Sequence, residues 1–260
     1  MLHCLSDDAK VQLAGDNVKK TAIIQARMGS SRLPGKILKQ VDGKPLLAYQ
    51  VERVRQAAAI DDIVIATTTH FADDEVVDFC KKHDLSYYRG DEDDVLSRYY
   101  EAASEYKADV VIRLTSDCPV IDPKVIDRTV GVFIHHDYDY VSNTLQRTYP
   151  RGMDTEVVSF STLQKAYNAA VKPFEREHVT PYIYRNPLQF HLKNVAYSKD
   201  VGFHRWTVDT IEDFLLIKNI IQSLYPDNPD FTLEDILALL EKHRDWVEIN
   251  AHIEQKKLGE

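Results

Sequence analysis

Gln25-Ala26-Arg27-Met28-Gly29-Ser30-Ser31-Arg32-Leu33-Pro34-Gly35-Lys36 follows directly on the apolar run Thr21-Ala22-Ile23-Ile24. The apolar run reads as a buried strand. After it, two glycines let the backbone turn sharply and aim N–H groups inward, while Arg27, Arg32 and Lys36 add positive charge beside the hydroxyls of Ser30 and Ser31. A loop of that chemistry at the end of a strand suits a polyphosphate. An ordinary surface turn has no need of three cations, two serines and a Pro-Gly pair in this place. Two familiar phosphate loops are excluded by spacing. A Walker A loop has four residues between its glycines and a Ser or Thr after its lysine; here five residues separate Gly29 from Gly35, and Ile37 follows Lys36. The dinucleotide fingerprint fails for want of a third glycine.

Outward from the loop, strand and helix patterns alternate. Pro45 opens a helix carrying Leu47, Val51 and Val54, Ile63–Ala66 reads as a second buried strand, and Asp73 and Asp74 start the next helix. Leu85–Tyr88 is a weaker strand, Asp94–Tyr106 a helix, Val110–Leu114 a strong strand ending at Thr115-Ser116-Asp117-Cys118-Pro119, and Pro123 begins another helix. This alternation predicts an α/β fold, a mostly parallel sheet flanked by helices with ligands at the carboxyl ends of its strands. The second half is less regular and is read as a small lobe. Strands are expected at Asp139–Ser142, Thr155–Ser159, Phe190–Leu192 and Trp206–Val208, and helices at Ser161–Ala170, Glu175–Tyr184, after Thr210, and from Thr232 to His243.

Composition narrows the partners. The chain has 260 residues, 44% of them apolar, which suffices for one large domain. Basic residues number 32 and acidic ones 41, a formal charge of −9. So acidic a chain repels phosphate backbones, and no nucleic-acid partner is expected; a locally basic loop on it marks a site for a small anion. Cys4, Cys80 and Cys118 are isolated, giving neither a zinc pattern nor a disulfide framework, which fits a reducing cytoplasm. No apolar stretch approaches the ~20 residues that span a bilayer, so no membrane partner is expected. Residues 1–20 lack the order of a secretory signal and read as a polar extension, loosely held or forming a short added helix. Residues 21–260 show no linker and read as a single domain.

The string from Ala26 to Lys36 resembles the nucleotide-binding signature of the cytidylyltransferases that activate acidic sugars, the CMP-Kdo and acylneuraminate synthetase type, and is most similar to a branch tied to spore coat polysaccharide. The resemblance continues at Ser116–Pro119, Pro150–Val157, Glu177–Thr180 and Trp206–Asp213, and spans Thr21 to the C-terminus. It implies a Rossmann-like, GT-A-like nucleotidyltransferase fold, a homodimer with the second-half lobe at its interface, and a reaction. A hydroxyl of the sugar acid attacks the α-phosphorus of CTP, and a CMP-sugar and pyrophosphate result, for surface or spore coat polysaccharide.

The implied roles follow from charge. Arg32 and Lys36 neutralise β- and γ-phosphate oxygens, with Ala26, Gly29, Ser30 and Ser31 cradling them and Arg27 either serving the α-phosphate or bracing the loop. Mg2+ prefers one or two carboxylates plus phosphates and waters, and the resemblance assigns it to Asp117 and Asp209. Related enzymes have an acidic residue where this chain has Cys118. The plain alternative for Asp117 is a cap ahead of Pro119, and for Asp209 the residue before a helix N-cap. Arg98 reads equally as a nucleotide contact or a solvated helix cation. Arg151, Glu156 and His178 are the sugar-binding candidates, against surface ion pairs and a structural histidine. Two rivals stand beside this reading: a UTP- or GTP-using sugar nucleotidyltransferase, and a non-catalytic nucleotide-sugar-binding protein.

Overall fold

Ala22, Ile23 and Ile24 are fully buried and form the middle of strand β1 (Lys20–Gln25) in a computed structural model that describes residues 18–255. The expectation for residues 1–20 lies outside the described residues up to position 17; β1 itself starts at Lys20. Strands β4 (Asp62–Thr68) and β6 (Val110–Thr115) flank β1 in parallel, and β5 (Ser86–Gly90) adds in parallel to β4. These strands read as continuous apolar runs because helices cover both faces. Ala22, Ile24, Ile63, Ile65 and Ile112 face a cluster with the helices Leu46–Arg55, Asp74–Lys82 and Pro123–Ile134. Ile23, Val64 and Val111 face the opposite cluster, with the helices Val95–Glu105 and Phe160–Ala169.

Beyond β6 the sheet changes direction. Strand β8 (Glu156–Ser159) pairs antiparallel with β6, β7 (Tyr140–Ser142) antiparallel with β8, and β9 (Leu192–Asn194) parallel with β7, giving the order β5-β4-β1-β6-β8-β7-β9. A small hairpin, β2 (Gln40–Val41) and β3 (Lys44–Pro45), stands apart. A third apolar cluster fills the second-half lobe, where Trp206, Tyr149 and Met153 pack against the helices Ile211–Leu224 and Leu233–Lys242. The predicted α/β sheet with an irregular lobe is therefore what the chain forms.

Three local expectations are corrected. Trp206–Val208 is not a strand: its backbone is bonded instead to the loops at Arg151 and Asp117, through Trp206 N–H to Arg151 O at 2.8 Å and Val208 N–H to Asp117 O at 2.8 Å. The strand expected at Phe190–Leu192 runs later, over Leu192–Asn194. The helix expected over Glu175–Tyr184 is two short ones, Pro173–His178 and Pro181–Tyr184, broken at Val179 with φ of 74°. Pro181 supplies no N–H to carry a helix through and takes the first position of the second helix instead. His178 thus ends a helix rather than beginning one.

Gly152 has φ of 100°, and a Cβ there would lie 2.5 Å from the carbonyl oxygen of Trp206. Gly43, with φ of 78°, faces open space. Gly43→Ala should cost about 1–2 kcal/mol of left-handed strain. Gly152→Ala adds a backbone collision and should cost more than about 3 kcal/mol. Urea unfolding of the two variants checks the ranking.

Candidate active site

The loop after β1 is held from below by a carboxylate. Met28 N–H donates to Asp73 Oδ1 at 2.6 Å, and the Thr68 hydroxyl at the end of β4 donates to the other oxygen. Gly35 makes the turn, with φ of 66° and its N–H on Met28 O at 3.1 Å. Gly29 is not in the left-handed region, and Ser30 N–H already donates to Met28 O at 2.8 Å, so the expected backbone cradle is narrower than the glycine count suggests. One 3-10 turn, Lys36–Leu38, then buries Ile37 and leaves Lys36 on the cleft.

Asp117 lies on the turn after β6. The Gln50 amide spans that turn, donating to Thr115 O at 2.7 Å and accepting from Cys118 N–H at 3.3 Å. The Thr115 hydroxyl donates to Asp117 Oδ1 at 2.6 Å, and the buried Cys118 thiol lies 3.4 Å from the same oxygen. The Asp117 carbonyl accepts from Val208 N–H and from the Thr207 hydroxyl at 3.2 Å, which lays the 205–209 segment alongside. Asp209 follows, immediately before the N-cap Thr210, whose capping box is completed by Asp213.

Residues far apart in sequence meet here. Lys36 Nζ lies 2.7 Å from Asp209 Oδ1 and 3.3 Å from Asp117 Oδ2. Arg32 reaches Asp209 Oδ2 at 2.8 Å. Burial opposes the charge on Lys36, but Asp117 and Asp209 outweigh it and raise its pKa above the ordinary value. Burial likewise opposes ionisation of Asp117, yet Lys36 and the Thr115 hydroxyl lower it to about 2. Lys36 and Asp117 are therefore both charged at neutral pH. Burial and the neighbouring Asp117 carboxylate push the Cys118 thiol well up, so it is no nucleophile.

The cleft around this cluster encloses about 290 Å³ and is lined by Ala26, Arg27, Gly29, Ser30, Ser31, Arg32, Lys36, Arg98, Asp117, His178 and Asp209, together with Gln25, Val95, Thr115, Ser116 and Glu177. Arg98 is not a solvated cation: it is 2% exposed, donates to Asp91 O at 3.0 Å, and its buried Nε has no partner among the described residues. Arg27 is half-exposed and pairs with Glu92 at 3.3 Å. Burial lowers the pKa of His178, against the pull of Glu177, so its imidazole is neutral at neutral pH.

Two sugar-site expectations are placed elsewhere. Arg151 lines a separate cavity with His204, Arg205 and Leu216. Glu156 is buried with both oxygens engaged, Oε1 by Arg113 and Oε2 by the Tyr140 and Thr180 hydroxyls at 2.6 and 2.5 Å. Neither residue type announces such placement: the antiparallel pairing of β8 decides it for Glu156, and backbone bonds to His204 and Trp206 decide it for Arg151. Sequence reading also missed Arg205, whose Nη2 reaches Asp209 Oδ2 at 2.6 Å; its position four residues before Asp209 was the available signal. Glu177 was noted only as a neighbour of His178.

Among the described residues no group of three or more His, Cys, Asp or Glu forms a ready metal site. The pair Asp117 and Asp209 nonetheless fits Mg2+. Two carboxylates already share one cation in the Lys36 ammonium, and magnesium takes its remaining ligands from phosphates and water.

A family model described as cytidylyltransferase matches residues 21–258. The spore coat polysaccharide biosynthesis protein SpsF of Bacillus subtilis is 34% identical over 86% of this chain and 94% of its own length. A 3-deoxy-manno-octulosonate cytidylyltransferase of Chlamydia trachomatis serovar A is 28% identical over 69% of this chain and 70% of its own. A solved cytidylyltransferase from Leptospira borgpetersenii superposes with a TM-score of 0.85 at 33% identity, covering 93% of this chain and all of that one. A strand-end loop with Lys36 and Arg32 facing two carboxylates, and a family match over nearly the whole chain, lead to one conclusion: this chain belongs to the cytidylyltransferase family.

Proposed function

We propose that this enzyme transfers CMP from CTP to a hydroxyl of an acidic sugar, releasing pyrophosphate, with Mg2+ as cofactor and its product used in surface polysaccharide biosynthesis. The observation that carries the reading is the Lys36 ammonium between Asp117 and Asp209. The names of the SpsF and 3-deoxy-manno-octulosonate relatives support the substrate class.

Phosphoryl transfer asks mainly for positioning and charge neutralisation. Lys36 and Arg32 give up their hold on Asp209 and turn to the β- and γ-phosphate oxygens of CTP. Arg98, on the cleft wall, adds positive charge towards the nucleotide. Asp117 and Asp209, released from the ammonium, would hold the divalent ion. When bound, Mg2+ neutralises charge that develops on the α-phosphate and the departing pyrophosphate. Glu177 and neutral His178 face the cleft from the second half and bind hydroxyls of the sugar. Among the described residues no helix is long and apolar enough to cross a membrane, and we place the enzyme in the cytoplasm. It works as a homodimer through the second-half lobe, where Val171, Leu188 and Phe203 are exposed apolar side chains.

With CTP, Mg2+ and a panel of acidic sugars, pyrophosphate release is expected with at least one sugar and should stop on adding EDTA. Asp209→Asn should lower kcat by on the order of 10²–10³. Silence with every CTP–sugar pair, or greater thermal stabilisation by UTP or GTP than by CTP, would overturn the assignment. Lys36→Met leaves burial unopposed by the ammonium, so the Asp117 carboxyl should titrate above 3.8 instead of at about 2, read by carbon NMR. The sign for stability follows. The folded pKa lies below the unfolded one, so the wild-type pair contributes fully above the unfolded pKa of 3.8 and is lost as pH falls through about 2. Light scattering at micromolar concentration should give twice the 29.9 kDa chain mass; a monomer would refute the dimer.

A further inference from the structure

Three cations hold the Asp209 carboxylate, and they differ in how they are themselves held. Lys36 and Arg32 line the cleft. Arg205 comes from behind, with its whole guanidinium engaged. Its Nε donates to Asp213 Oδ1 at 2.9 Å, and its Nη2 to Asp209 Oδ2 at 2.6 Å and Asp213 Oδ2 at 3.1 Å. Its Nη1 donates to Gln255 Oε1 at 2.5 Å. Asp213 has no exposed surface and also accepts from Asp209 N–H at 2.9 Å, Thr210 N–H at 3.1 Å and the Asn250 amide at 2.8 Å. That same amide of Asn250, which is 3% exposed, donates to Arg205 O at 2.9 Å. Side chain and backbone of Arg205 are thus braced together.

Capping the helix Ile211–Leu224 does not require this arrangement. Thr210 and Asp213 complete the capping box by themselves. The contact from Arg205 to Asp209 Oδ2 is additional, and it leaves Oδ1, the oxygen Lys36 now holds, turned to the cleft. A planar guanidinium fixes the plane of a carboxylate as a point charge does not.

We propose that Arg205, braced by Asp213 and Asn250, is a positioning residue that fixes the Asp209 carboxylate for the divalent ion, and that it keeps this contact when Arg32 and Lys36 turn to the nucleotide. The inference rests on the reading that Asp209 and Asp117 hold that ion. Partners that orient a metal-binding side chain typically account for 10–100-fold in metal affinity.

The test is a Mn2+ titration of the full chain with CTP and no sugar, followed by water-proton relaxation, which separates Mn2+ on the protein from Mn2+ on free nucleotide. Arg205→Lys keeps the charge but loses the fork, and should weaken Mn2+ binding at least tenfold. Asn250→Ala keeps every guanidinium bond but removes the amide that braces the Arg205 carbonyl and Asp213, and should shift binding in the same direction. Both should bind CTP without metal as the wild type does, and raise the metal concentration for half-maximal rate more than they lower kcat at saturating metal. Variants with wild-type circular dichroism and wild-type Mn2+ affinity would reduce Arg205 to a structural role; should Arg205→Lys not fold, Asn250→Ala decides alone. If the wild type with CTP holds no Mn2+, the metal assignment of Asp117 and Asp209 falls, and this inference with it.

Discussion

Two carboxylates from opposite halves of the chain share one cation, the Lys36 ammonium, which keeps Asp117 ionised against its burial. Without that ammonium, burial would drive Asp117 towards taking up a proton. In the proposed reaction the site undergoes a charge exchange, one positive partner leaving as another arrives. Triphosphate oxygens would compete for the same ammonium and guanidinium groups, and nucleotide and metal would each stabilise the rearrangement that the other requires.

The fold serves this centre by bringing three loops to the carboxyl ends of neighbouring parallel strands. β1 gives Lys36 and Arg32, β6 gives Asp117, and the second-half lobe delivers Asp209 through backbone bonds to the Asp117 carbonyl. The reversal at β8 matters as much. It puts Glu156 in the interior, where Arg113, Tyr140 and Thr180 use up its oxygens.

The first half was legible because its physics is local. Runs such as Ile63–Ala66 and Val110–Leu114 are apolar on both faces, Asp94 and Pro123 mark helix starts, and the loop after β1 advertises its charge. Lys36, Asp117 and Asp209 were identified from the loop chemistry and from family resemblance. What was not legible depends on neighbours remote in sequence. The apolar alternation at Trp206–Val208 looks like a strand, but its hydrogen bonds go to two loops rather than a ladder. Arg151 and Glu156 lie in a motif suited to sugar binding, yet backbone bonds to the 204–206 segment direct Arg151 to a second cavity, and the antiparallel pairing of β8 turns Glu156 into the interior. Arg205 carries no periodic signal, since its partners Asp213, Asn250 and Gln255 are scattered along the C-terminal third.

The close approach of Gly152 to the Trp206 carbonyl has a consequence for how such enzymes diverge. Around it, main chain meets main chain: Arg151 N–H on His204 O, Trp206 N–H on Arg151 O, Val208 N–H on Asp117 O. The separation of the two acidic groups is thus set by peptide geometry, which most side-chain replacements leave untouched. Residues on the lobe's cleft face, such as Glu177 and His178, are under no such restraint. If these side chains meet the sugar as proposed, acceptor preference can change at them without altering the spacing of Asp117 and Asp209.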